Sequence, residues 1–98
     1  MKVENDPRVD KEIRKLSNKD LARIVRVVEL FEDSGFNLTE VYLKKINRNL
    51  WELRAGKWRS LFGLVSDKAV IVNVFFKKTQ KTPRKEIELA LKRLEDYL

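Results

Sequence analysis

Two hydrophobic periods divide this 98-residue chain. In its first third, apolar residues recur three or four positions apart, as on one face of a helix. Asp6-Pro7 marks a helix start, because Asp can cap free N–H groups and Pro suits the first helical position. Val9, Ile13 and Leu16 follow at helical spacing, and Met1 to Asp6 reads as a polar lead in which Val3 can start an edge contact. Ser17-Asn18 interrupts, and either residue can cap a second helix with Asp20 in its first turn. Leu21, Ile24, Val25 and Val28 then form an apolar stripe that Phe31 extends, until Ser34-Gly35 ends it. Pro7 to Ser34 therefore predicts an αα-hairpin whose stripes are core.

From Leu50 the period changes. Leu50 to Arg54 alternates, with Trp51 and Leu53 on one side and Glu52 and Arg54 on the other. Ala55-Gly56-Lys57 suits a short hairpin loop, Trp58 to Val65 a second strand and Ser66-Asp67-Lys68 a second turn. Ala69 to Phe76 is a near-continuous run of β-branched and aromatic residues, the pattern of a strand buried on both faces. Between the two halves, Phe36 to Glu40 reads as loop and Asn47 to Asn49 as turn. Val41 to Ile46 fits either a strand or a single helical turn, since Leu43 and Ile46 do not alternate. Lys77 to Pro83 is an exit loop, with Thr82 as N-cap and Pro83 as first residue of a final helix carrying Ile87, Ala90, Leu91, Leu94 and Leu98. The order predicts one α+β domain over residues 1–98, a small antiparallel sheet of three to four strands with helices on at least one face. A chain of this length supports one core but not two.

Composition narrows the chemistry. There is no Cys and no His, which excludes a disulfide framework, cysteine-built zinc sites, thiol nucleophiles and the usual general base. No Gly-rich phosphate loop and no evident acidic metal cluster appears, so no metal and no small-molecule cofactor is expected. Nothing resembles a signal peptide or a membrane span, and a cytoplasmic location follows by default. The 38% charged content is a weak sign of a thermophilic source.

Charge then singles out the strand half. Of a net +7, the segment from Lys44 to Lys85 contributes +10, with twelve basic residues against Glu52 and Asp67. Such asymmetry points to a polyanionic partner, nucleic acid first. The cations beside the strands are Arg54, Lys57, Arg59, Lys77, Lys78 and Lys81, with Lys44, Lys45 and Arg48 upstream. Arginine holds a phosphate through two N–H groups, and lysine acts as a mobile point charge. Trp58 and Phe75 can add base stacking, although Trp51, Trp58, Phe62 and Phe75 all suit a core.

Leu50-Trp51-Glu52-Leu53-Arg54, Gly56-Lys57-Trp58-Arg59, Phe75 to Pro83 (FFKKTQKTP) and the pair Ala90 and Arg93 together resemble the RelE/HigB/ParE toxin superfamily, in particular its phage-derived HigB-like branch. The resemblance covers residues ~41–95 by motif, and the αα-hairpin agrees in order and length. It implies two N-terminal helices against a curved antiparallel sheet, with a C-terminal helix. It implies the toxin of a type II toxin–antitoxin pair, neutralised by a helix-turn-helix antitoxin that covers the basic face or displaces the last helix. The RelE- and HigB-type members cut mRNA in the ribosomal A site by metal-independent attack of the ribose 2′-OH, which stops translation. ParE-type members inhibit DNA gyrase instead, and a third reading is a relative that has lost activity and only binds its antitoxin or DNA. By motif position Arg59, Arg54 and Lys77 are the implied catalytic residues, and Lys45, Lys57, Lys78 and Lys81 the RNA-binding ones. The chain departs from the family where a Tyr, His or Asp usually stands near the end of the sheet. Here that position reads Phe76-Lys77-Lys78-Thr79, and Tyr97 in the last helix is a poor substitute.

Overall fold

The computed structural model describes residues 1–98. Its elements run β1 (Lys2–Asn5), α1 (Pro7–Ile13), α2 (Asn18–Ser34), β2 (Leu43–Asn47), β3 (Leu50–Ala55), β4 (Trp58–Val65), β5 (Lys68–Phe76) and α3 (Arg84–Leu94). Short 3₁₀ turns follow α2 and α3 at Gly35–Asn37 and Glu95–Tyr97, so the last helix stops short of the terminus.

The αα-hairpin forms where the caps predict. The Asp6 carboxylate accepts the Arg8 N–H, Pro7 opens α1, and the Ser17 hydroxyl accepts the Asp20 N–H at the start of α2. Gly35 closes α2 at a positive φ of 56°, with its N–H on the Phe31 carbonyl. The buried stripe of α2 is Ile24, Val27 and Phe31, while Val25 is exposed. The apolar seam is thus rotated toward Val27 from the one read off the spacing.

The sheet corrects the sequence expectation. It has five strands in the order β1-β5-β4-β3-β2, not three or four. It is also mixed, because β1 pairs parallel with β5 in the register Lys2 with Lys68 through Asn5 with Ile71. Of the segment Val41 to Ile46, the part from Leu43 onward is strand and Val41-Tyr42 is turn, with Leu43 opposite Leu53 and Lys44 opposite Glu52.

Both faces of the sheet are covered. Val9, Ile24, Val27 and Phe31 of α1 and α2 meet Leu43, Leu53, Ala55, Phe62, Ala69 and Ile71 on one face. Ala90 and Leu94 of α3 meet Leu50, Leu61, Val70, Val72 and Phe75 on the other. The expectation of a single core therefore fails: the sheet is thin enough for a small chain to build apolar layers on both sides. Gly63 permits the second layer, since a Cβ there would lie 2.8 Å from the Asn49 carbonyl oxygen and 2.5 Å from a Leu94 methyl.

A bulge sets the register beside α3. Leu61 pairs with Asn73 and Phe62 with Ile71, which leaves Val72 as an extra residue. Arg93 donates to the Val72 carbonyl at 3.0 Å and holds Glu12 of α1 through both Nη atoms. Ala90 is fully buried. The Ala90/Arg93 pair thus fastens α3 to the bulge and to α1. The bulge also lets Asn73 face α3, where its amide donates to the Glu86 carbonyl at 3.0 Å.

Candidate functional site

Strand alternation builds the site at one end of the sheet, on the α3 face. Glu52 and Arg54 share that face of β3, and Arg59 stands directly opposite Arg54 on β4. Gly56, at φ 63°, closes the two-residue connection between the strands. Lys77 N–H donates to the Lys57 carbonyl at 2.7 Å, which draws the exit of β5 against this hairpin.

Glu52 is wholly buried beneath the two arginines. Its Oε1 lies 2.9 Å from Arg59 Nε and its Oε2 3.9 Å from Arg54 Nε. The Arg59 N–H points off the line to the oxygen, so this is an ion pair and not a well-formed hydrogen bond; Arg59 Nε, Arg54 Nε and Glu52 Oε2 all lack hydrogen-bond partners. Unsatisfied buried polar groups are rare and costly. Arg59 Nη1 donates to the carbonyls of Gly56 at 2.6 Å and Trp58 at 3.0 Å. Burial pushes the Arg59 guanidinium below its ordinary proton affinity; Glu52 opposes the shift and Arg54 adds to it. Arginine does not deprotonate in proteins, so the direction records a cation held at a cost and relieved by an anion.

Thr82 does something other than cap α3. The helix starts at Arg84 behind Pro83 with no side-chain cap, and the Thr82 hydroxyl donates to Glu52 Oε1 at 3.1 Å. Thr79 donates to the Lys81 carbonyl at 2.7 Å, which folds the lysine loop on itself.

Two clefts adjoin over this cluster. One of about 500 Å³ is lined by Lys57, Arg59, Lys77, Lys78, Thr79 and Gln80. The other, of about 320 Å³, is bordered by Lys44, Lys45, Arg54, Lys81 and Thr82, and shares Lys77 and Gln80 with the first. All seven sequence candidates border one cleft or the other, and no acidic side chain lines either. Lys45 is the least committed, because its ammonium lies 5.4 Å from the centre of the Trp51 ring on the opposite face. Its neighbour Lys44, opposite Glu52, shares the cleft face. Gln80, Thr79 and Thr82 were not read as site residues, because a polar loop side chain carries no periodic signal. Glu52 was legible as the acid that shares a strand face with Arg54 and stands in the Leu50 to Arg54 motif, but not as a site residue.

The aromatic candidates divide. Phe75 and Phe62 are core, and Trp51 stacks on Phe62 at 5.7 Å between ring centres. Trp58 is half-buried and meets the exposed Phe76 edge-on at 5.3 Å. Tyr97 lies elsewhere: its hydroxyl donates to Asp6 Oδ2 at 2.7 Å. Burial pushes its phenol up to about 12, with the Asp6 hydrogen bond adding to the shift. No helix is long and apolar enough to cross a membrane.

Residues 11–95 match the family described as phage derived protein Gp49-like (DUF891). Among solved structures, the chain is similar to one in the crystal structure of the RelB-RelE antitoxin-toxin complex from Methanococcus jannaschii, with a TM-score of 0.57 and 17% identity over 96% of each chain. That likeness shows the fold. No curated protein matches.

Proposed function

We propose that this chain, which belongs to the phage derived Gp49-like family, is the toxin of a toxin–antitoxin pair and cuts messenger RNA on the ribosome. The observation that carries the reading is the 500 Å³ cleft lined by Arg59 and Lys77 and by no acidic side chain. Such a cleft suits a phosphodiester, whose oxygens accept from several cationic donors at once. The reaction is attack of the ribose 2′-oxygen on the adjacent phosphorus. The O2′–P bond forms, the P–O5′ bond breaks, and a 2′,3′-cyclic phosphate and a 5′-hydroxyl result. The 2′-OH loses a proton and the departing 5′-oxygen gains one.

This chain's contribution is electrostatic. Arg59 Nη2 makes no protein hydrogen bond and is the edge available to a phosphate oxygen. Arg54 and Lys77 add charge where it builds up in the transition state, the largest single source of catalysis in many enzymes. Lys57, Lys78 and Lys81 hold flanking phosphates, and Lys44 and Lys45 extend the track. Lys77 lines both clefts; on this reading it is the chain's own group for the proton, and the ribosome supplies the complementary one. Glu52 is not that group, being buried under two cations. Metal and cofactor have no part in these steps. The partner is an antitoxin protein, a reading supported by the antitoxin–toxin complex that contains the chain of like fold; its helix-turn-helix kind is what the sequence resemblance implies.

Inducing the chain in cells and mapping message 5′ ends tests this. New ends within translated codons, absent with Arg59→Ala, are expected. Intact messages with arrested DNA replication would instead make gyrase the target.

A further inference from the structure

The proposed chemistry uses the outer edges of Arg59 and Arg54, so their inner edges must be held. Like charges directly opposite each other on antiparallel strands repel. Arg54 and Arg59 are such a pair, and they meet on one carboxylate, 0% exposed, that lines neither cleft. Arg59 has its Nε turned to Glu52 and its Nη1 spent on two carbonyls, which leaves Nη2 for the cleft. Arg54 has its Nε toward Glu52 and its Nη1 on the Glu40 carbonyl at 3.4 Å. Thr82 brings the lysine loop to the same carboxylate.

We propose that Glu52 is the positioning residue of this site: it holds the two arginines side by side with their free edges in the clefts, and sets the lysine loop against them through Thr82. The proposal rests on the reading of the clefts as an RNA-cleaving site. It separates Glu52 from an ordinary buried carboxylate, because it ties together groups that serve the reaction and not the core. Glu52→Gln keeps the shape but raises the net charge of the three side chains from one positive to two. Attraction for RNA is then kept or strengthened, while the orientation of Arg59 is lost.

The test compares wild type with Glu52→Gln in three readouts. These are the Arg59 Nε–H resonance in a protein whose amide spectrum is native, the affinity for a short single-stranded RNA, and single-turnover cleavage on programmed ribosomes. The expected result is exchange broadening of the Nε–H resonance, RNA affinity equal to or tighter than wild type, and a ~10²-fold loss of cleavage, the usual penalty for a misplaced catalytic group. Glu52→Asp, one methylene shorter, should not restore cleavage. An unchanged Nε–H resonance with unchanged cleavage overturns the proposal, as does a loss of binding and cleavage in step with the native fraction. Should Glu52→Gln fail to fold, Glu52→Gln/Arg54→Met is compared with Arg54→Met alone, and further broadening of the Arg59 resonance and further loss of cleavage are expected from the added Glu52→Gln; no further change in either overturns the proposal. If wild type cuts no RNA, the functional reading fails, and the Arg59 resonance, with inorganic pyrophosphate as ligand, decides the positioning claim alone.

Discussion

Arg54 and Arg59 stand directly opposite each other on β3 and β4, with the buried Glu52 carboxylate 3.9 Å from one and 2.9 Å from the other. Two facing cations at a strand pair are unfavourable, and burial adds to the cost. Replacing Arg59 relieves that repulsion but takes the nearer cation from a buried carboxylate, so a loss of stability should accompany the loss of activity. Arg59→Ala removes the cleft cation, and cleavage is expected to fall ~10²–10³-fold, the range seen when one transition-state donor is deleted. Arg59→Lys should fall nearly as far, since one ammonium cannot reach Glu52, two carbonyls and a phosphate together. Measured cleavage rates of the two variants, with thermal melts as a fold control, check this.

Arg93 gives a prediction of the opposite kind. It lies outside both clefts and bonds the Val72 carbonyl at the bulge and the Glu12 carboxylate. Arg93→Met should cost about 1–3 kcal/mol, mostly from the carbonyl left unpaired, because the Glu12 partner is half-exposed and solvent screens it. Chemical denaturation measures the loss, while RNA affinity should stay near wild type.

Gly63→Ala tests the close approach of α3 to β4. Leu94 can turn aside, but the Asn49 carbonyl, 2.8 Å from the added Cβ, is backbone and gives way less readily. Overpacking of this kind costs about 1–3 kcal/mol. Denaturation should show the loss, and the Leu94 methyl resonances should move.

Stability should depend on pH at both ends of the scale through one network. The Arg8 guanidinium, helped by the Tyr97 hydroxyl, holds the Asp6 carboxyl well below the usual carboxylate range. A depressed folded pKa stabilises above the unfolded value of ~3.9, so this contribution disappears as pH falls below ~4. Tyr97 has the opposite sign. Its phenol, pushed up to about 12, stabilises below the unfolded value of ~10, and the contribution disappears as pH rises from ~10 through 12. Melting temperature against pH should fall at both extremes. Tyr97→Phe should flatten the alkaline limb.

Much of this was legible in the sequence, for reasons that differ by residue. Asp6, Ser17 and Gly35 announced the helix ends because capping is local chemistry. The alternation of Leu50 to Arg54 placed Glu52 and Arg54 on one face because a strand has period two. The edge contact read at Val3 is there as β1, but its parallel pairing was hidden: four polar-flanked residues pair with a strand more than sixty positions away, and no local pattern encodes that partner. The bulge at Val72 was hidden for the same reason, and Arg93 appeared only as a spacing. The seven cationic candidates gathered because they sit at strand ends and in one loop at a single end of the sheet. The ammonium of Lys45 turned to Trp51 because it occupies the alternate position on β2. Thr82 looked like a cap, but a buried carboxylate nearby is the stronger acceptor for its hydroxyl.

The most direct measurement uses purified chain and ribosomes carrying a defined message with a chosen codon in the A site. Wild type should cut within that codon and leave a 2′,3′-cyclic phosphate and a 5′-hydroxyl, and Arg59→Ala should leave the message whole. An uncut message with wild type, or equal cutting by Arg59→Ala, contradicts the assignment of Arg59 and its cleft to RNA cleavage.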